Sequence, residues 1–171
     1  MTGHYSQRAD LPYYRHVKEI LESLGELDSI LDVGCLDVPT ATWGDFRKRY
    51  TIDRLKRPVL AGVEAILGSW PEDWTFGSVD VVTCLQVLEH IENPLPFSES
   101  LFATAQHTVI VSVPYLWPAG RCKSHVQDPI DEEKLESMTG RTPDRTIIID
   151  CANCRMIAVY VLADERHGTS E

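Results

Sequence analysis

The run Ser29-Ile30-Leu31-Asp32-Val33-Gly34-Cys35 constrains the fold more than any other stretch, because its aliphatic residues end at a carboxylate and a glycine. A short, nearly continuous apolar segment reads as a parallel strand buried on both faces, and the glycine after it permits a sharp turn and a close approach to a ligand. Two later segments fall where a doubly wound sheet needs them. Arg49-Tyr50-Thr51-Ile52-Asp53-Arg54 is a second strand ending in a carboxylate. That acid comes about twenty residues after Gly34, the spacing at which such folds set a carboxylate on ribose hydroxyls. Val79-Asp80-Val81-Val82-Thr83-Cys84-Leu85 is a further strand, and it runs straight into Gln86-Val87-Leu88-Glu89-His90.

In this order the pieces Leu31-Asp32-Val33-Gly34-Cys35, Asp53, Val79-Asp80-Val81-Val82 and Leu88-Glu89-His90-Ile91-Glu92-Asn93-Pro94 resemble the class I S-adenosylmethionine (SAM) dependent methyltransferases. The last run resembles the small-molecule branch of that family. The resemblance extends from about Ile30 to Leu162 and implies an α/β, Rossmann-like doubly wound sheet, mostly parallel, closed by an antiparallel C-terminal hairpin. It also implies SAM as cofactor and a small-molecule or glycan hydroxyl or amine as methyl acceptor. By that resemblance Asp32, Gly34 and the adjoining Cys35 would meet the methionine end, Asp53 the ribose, Ser69 and Trp70 the adenine, and Leu85-Gln86 the floor beside the sulfonium. Backbone amides near Gly34, with Arg15 or Arg54, are the nearest donors in sequence for the methionine carboxylate. His90 and His125 are the candidate bases, since both follow strand ends and histidine titrates near neutrality. His90 reads more readily as a brace for its own turn than as a base, and His125 equally as a base or as part of a polar loop surface.

Two departures from the family pattern bear on this reading. Its loop after the first strand usually carries two or three glycines, where this chain has Cys35-Leu36-Asp37-Val38-Pro39-Thr40. Either the loop takes another path or the methionine end is weakened. A Gly-Asp pair often ends the third strand in the family, and here Ser69 stands in the acid's place. A catalytically degenerate, ligand-binding or regulatory version of the same fold is the competing expectation.

Composition narrows the partners. A formal charge of -10 and a pI near 5.0 argue against a phosphate-backbone partner, so nucleic acid is not expected. No apolar run is long enough for a bilayer and the start Met1-Thr2-Gly3-His4 lacks a secretion signal's apolar core, so no membrane partner and a cytoplasmic setting are expected. Five cysteines, an odd number, suit free thiols. Cys122-x-x-His125 and Cys151-x-x-Cys154 have a spacing that permits tetrahedral zinc, but the expectation is no metal.

The remaining elements follow from periodicity and punctuation. Residues 1–171 read as one domain, with an N-terminal helix or lid at 1–28, a core at 29–162 and a tail at 163–171. Asp10 and Pro12 open a helix with an apolar stripe at Tyr14, Val17, Leu21 and Leu24, stopped by Gly25. The first reading of this helix is one packed on the sheet; in related methyltransferases it is often a lid, which would put Tyr13, Tyr14 and Arg15 over the cofactor. A brief helical turn is expected over Ala41–Arg47. Asn93-Pro94 starts a helix facing the sheet through Leu95, Leu101, Phe102 and Ala105, and Thr108–Pro114 is a fifth strand. After an irregular loop from Tyr115 to Gln127, a helix carrying Leu135 and Met138 ends at Gly140. Thr146–Asp150 and Arg155–Leu162 form the closing hairpin.

Overall fold

The computed structural model describes residues 11–56, 60–149 and 153–162, so the expected cap at Asp10 and the thiol of Cys151 lie outside the described residues. The seven strands are β1 (Glu26–Val33), β2 (Asp45–Asp53), β3 (Glu64–Leu67), β4 (Val79–Leu85), β5 (Ala105–Pro114), β6 (Arg145–Ile149) and β7 (Arg155–Val161), and the helices are α1 (Pro12–Ser23), α2 (Pro94–Thr104) and α3 (Glu132–Thr139). They form one sheet in the order β3-β2-β1-β4-β5-β7-β6. β1 to β5 run parallel, while β7 is antiparallel to both β5 and β6. The chain leaves β1 toward β2 and β3, then crosses back to place β4 on the other side of β1. The sheet order therefore reverses between β1 and β4, and a crevice opens there at the carboxyl ends of the strands.

Side chains alternate across the strands and sort the core into two layers. Ile30 of β1, Val81 of β4, Ile110 of β5 and Ile157 of β7 pack with Tyr13, Tyr14, Val17, Ile20 and Leu21 of α1. Leu31 and Val33, with Val82, Val109, Val111, Ala158 and Tyr160, pack on the other face with Leu101 and Phe102 of α2 and Leu135 and Met138 of α3. Several of these residues are fully buried, and each is worth about 1.5–3 kcal/mol relative to exposure. The same alternation turns Asp32 to the α1 face, beside Ile30 and opposite Leu31 and Val33. Among the described residues no helix is long and apolar enough to cross a membrane.

Some local expectations are corrected. The segment Ala41–Arg47 is not all turn: a 3-10 turn occupies Thr40–Thr42, and β2 already begins at Asp45. Phe46 is the buried residue of an otherwise polar start, which hid the strand from a search for continuous apolar runs. On α2, Leu95 does not face the sheet. It stays exposed near Gly140, whereas Ser98, Leu101 and Phe102 are the buried positions. Ala105 belongs to β5, which follows α2 with no intervening loop. Asn93 precedes α2 without a side-chain cap hydrogen bond, but Asp131 caps α3 by accepting from the Lys134 amide at 2.8 Å.

Candidate functional site

A cavity of about 720 Å³ opens at the carboxyl ends of β1 to β4, within the usual size range of small-molecule pockets. Asp32, Gly34, Cys35, Asp53, Arg54, Ser69, Trp70, Leu85, Gln86, His90 and His125 all line it. Residues far apart in sequence are thus brought to one wall or another of a single space.

At the end of β1 the backbone turns on Gly34, whose φ is 76° and whose amide donates to the Ile52 carbonyl at 2.9 Å. A Cβ there would lie 2.5 Å from a methyl of Val87, so both the conformation and the space call for glycine. The next turn falls on Leu36, which occupies the left-handed region at φ 50° without being glycine. Its amide donates to Asp53 Oδ2 at 3.0 Å, so the acid of β2 holds the strained loop in place. The other oxygen of Asp53 accepts from the Leu55 amide at 2.9 Å. Leu36, Val38 and Thr40 line the cavity whereas Pro39 does not, so the glycine-poor loop leaves the space open.

Asp32 is almost fully buried. Its Oδ1 accepts from the Thr83 hydroxyl at 2.6 Å, while Oδ2 has no partner. Burial pushes its carboxyl up from an ordinary 3.8 to about 7, the Thr83 hydroxyl and then that of Thr40 oppose the rise, and the charge of Asp53 adds to it. The Thr40 hydroxyl favours the ionised form, yet neither it nor Asp32 Oδ2 meets hydrogen-bond geometry. Above this carboxyl stand Tyr13 and Tyr14 of α1, with ring centroids 4.1 Å apart. Burial first, then the proximity of Tyr14, raises the Tyr13 phenol well above its ordinary value.

Arg15, expected over the cofactor, is instead exposed and lies 4.0 Å from Glu19 on its own helix. Among the described residues two cations line the cavity, Arg54 after β2 and Arg155 at the start of β7, and Arg155 stacks over Trp117 at 4.4 Å. Nothing near Asp32 in sequence announces Arg155, because β7 arrives beside β5 only through the fold.

The opposite end of the cavity holds Ser69 and Trp70. The Ser69 amide donates to Asp73 Oδ2 at 2.7 Å. Trp70 is mostly buried beside Trp74, with centroids 6.3 Å apart, and its indole nitrogen has no partner. On the floor, Gln86 is a second non-glycine residue in the left-handed region, at φ 58°, tied to β5 through the Ser112 carbonyl at 2.8 Å and hydroxyl at 3.1 Å.

The third wall is a pair of imidazoles. His90 Nδ1 donates to the Ser124 carbonyl at 2.9 Å, tying its turn to the loop that carries His125. The His125 side chain is 7% exposed and its Nδ1 donates to Asp128 Oδ2 at 2.7 Å. The rings meet edge to face at 4.7 Å. Carbonyl and carboxylate partners fix the proton of each neutral ring on Nδ1 and leave each Nε2 as an acceptor. Glu89, between Leu88 and His90, is buried in the same wall, and its Oε2 has no partner. Burial pushes its carboxyl up to about 8, against the pull of its own backbone and of Arg155. In the sequence Glu89 stands out only as part of the run Leu88-Glu89-His90. The His-x-x-Asp spacing of His125 and Asp128 is the one local signal for the imidazole's partner.

Among the described residues Cys35, Cys84, Cys122 and Cys154 form no disulfide, and neither Cys122 nor Cys154 joins a metal-ligating group.

No protein-family model and no curated protein matches the chain. Solved structures do. N-methyltransferase NodS from Bradyrhizobium japonicum WM9 superposes with TM-score 0.70 at 13% identity, over 89% of this chain and 97% of that one. Magnesium protoporphyrin IX methyltransferase from Synechocystis PCC 6803, with bound S-adenosylhomocysteine (SAH), gives 0.65 at 18% identity over 95% and 89%. The 1,6-didemethyltoxoflavin-N1-methyltransferase of Burkholderia thailandensis gives 0.68 at 15% over 90% and 79%. With its strand order, its reversed β7 and its crevice between β1 and β4, the chain has the fold of the class I SAM-dependent methyltransferases.

Proposed function

We propose that the protein is a SAM-dependent methyltransferase acting on an oxygen or nitrogen of a small-molecule or glycan acceptor. The observation that carries this reading is Asp32 Oδ2, a buried acceptor at the end of β1 with no donor of its own. An ammonium group has only donors to offer, so the amino group of the methionine moiety matches it. Arg155 and the amides after Gly34 then serve the methionine carboxylate, Asp53 serves the ribose hydroxyls, and Ser69 and Trp70 flank the adenine. Two of the neighbouring methyltransferases, solved with bound SAH, support the choice of cofactor.

Bound SAM supplies a methyl group on an already activated sulfonium, so the chain's task is alignment and exclusion of water. Tyr13 and Tyr14 cover the Asp32 end of the cavity, and Gln86, fixed to Ser112, sets its floor. Where the acceptor must lose a proton, His125 Nε2 is placed to take it, with Asp128 holding the ring and stabilising the imidazolium that results. His90 presents a second Nε2 to the same space.

Calorimetry with SAM, SAH and adenosine on one preparation tests this reading. A clear preference for the first two supports a working donor site. Equal, weak binding of all three would instead mean that the loop from Leu36 to Thr40 has removed the methionine end, and that the chain is a catalytically degenerate binder.

A further inference from the structure

We propose that Glu89, His90 and His125 form a binding site for one divalent transition-metal ion on the acceptor side of the cavity. The three residues present ligand atoms within 4.8 Å of one another, and His90 Nε2 lies 4.0 Å from Glu89 Oε1. An ion bonded at about 2.0–2.2 Å to each would draw such donors to roughly 3–3.5 Å apart, a contraction that side-chain rotations supply.

Three further features distinguish this wall from a chance grouping. First, both imidazoles are oriented through Nδ1 by a carbonyl or a carboxylate, the arrangement that fixes Nε2 as a metal ligand and raises its basicity. Second, Glu89 Oε2 is buried without a partner while facing the cavity. A buried carboxylate oxygen with no donor is costly unless something cationic reaches it. Third, the donors are held in fixed relation by bonds between their two loops. The Val126 amide donates to the Glu89 carbonyl at 2.8 Å, and the Gln127 side chain donates to the Ile91 carbonyl at 2.7 Å.

Of the charged groups around Glu89, Asp128 adds a negative charge, while Arg155 and Arg121 stack on Trp117 beside His125. Two imidazoles and one carboxylate suit zinc, cobalt, iron or manganese and leave coordination positions open toward the cavity. With the ion in place the two histidines act as ligands rather than bases, and an acceptor oxygen would ionise by binding the metal. The site differs from the cysteine arrangement that the sequence suggested, for it needs no thiol.

The probe is the metal alone, so the outcome is independent of SAM binding. Chelator-treated wild-type protein is titrated with cobalt(II) and zinc(II), with calorimetry and visible absorption as readouts. One equivalent should bind saturably, with the cobalt bands of nitrogen and oxygen ligation and no thiolate charge-transfer band. Glu89→Gln and His125→Ala should each weaken binding at least tenfold, and Cys122→Ser should leave it unchanged. Asp128→Asn, which only removes the group orienting His125, should weaken it by about 10–100-fold. The wild-type spectrum decides the matter even if a variant fails to fold. Absence of saturable binding, or a thiolate band that disappears with Cys122→Ser, would overturn the proposal.

Discussion

Replacing Asp32 by Asn should make the protein more stable and a poorer binder of SAM, and the size of the first effect follows from burial. The carboxyl stands on β1 with Thr83 of β4 beside it, Thr40 and Tyr13 over it and Asp53 of β2 nearby. In the folded chain its pKa is raised from 3.8 to about 7. A carboxyl that ionises less readily when folded favours folding while protonated. Its contribution is therefore fully present below about pH 4 and is lost as pH rises through 7. A displacement of roughly 3 on the pH scale, at about 1.36 kcal/mol each, makes that loss on the order of 4 kcal/mol. Asn keeps the acceptor for the Thr83 hydroxyl and cannot ionise. Its unmatched amide group is a fixed penalty of about 1–3 kcal/mol at every pH, so it cancels when differences between pH values are taken. Urea unfolding of both proteins from pH 4 to pH 8 gives the two stability curves. The variant's advantage over the parent should grow by on the order of 4 kcal/mol across that range, most of it between pH 5 and 8. Parallel curves would refute the argument. Calorimetry of the same pair should show SAM affinity falling in the variant, as expected where a binding site stores instability.

Asp53→Ala should weaken SAM binding by about 1–3 kcal/mol and loosen the Leu36 turn, both read by calorimetry and by limited proteolysis of the loop. Unchanged affinity would remove Asp53 from the ribose assignment. Gly34→Ala should destabilise the fold by about 1–3 kcal/mol, since it combines a left-handed φ with a Cβ 2.5 Å from Val87. A melting temperature equal to the parent's would contradict that. Among the four cysteines described, Cys122 should react first with a disulfide reagent in the native protein, because it is the accessible one whose thiol is held below its ordinary pKa by Ser124. Cys84, buried and pushed up, should react only on unfolding.

The parts of the fold that the sequence made legible are those in which burial on both faces leaves a continuous apolar run. Val79–Leu85 is such a strand, and residues 108–114 of β5 and 30–33 of β1 read the same way, whereas the polar Gln106-His107 start of β5 did not. Strand starts were harder. Glu26 to Ser29 and Asp45 to Lys48 are polar because they lie toward the rim of the sheet, where Arg47 pairs with Glu26 and Lys48 with Asp28. The site residues at strand ends, Asp32, Asp53 and Gln86, could be found by counting along the chain. Arg155 could not, since only the pairing of β7 with β5 brings it to Tyr13. The missing glycines left open a different path or a weakened methionine end, and the backbone makes a left-handed turn at Leu36 all the same. The Leu36 amide donates to the Asp53 side chain, which holds that turn without a glycine.

The position of β7 also sets a schedule for the making of this protein. Its segment follows every other strand in sequence, yet it lies between β5 and β6 and contributes Arg155 to the cavity. A nascent chain that has emerged only as far as residue 149 can pair β1 to β5, but the far side of β5 remains an open, strongly apolar edge. During synthesis that edge is the surface most in need of chaperone cover, since exposed strand edges invite pairing with other chains. The cavity wall is finished only when the last strand slides in antiparallel and brings Arg155 with it.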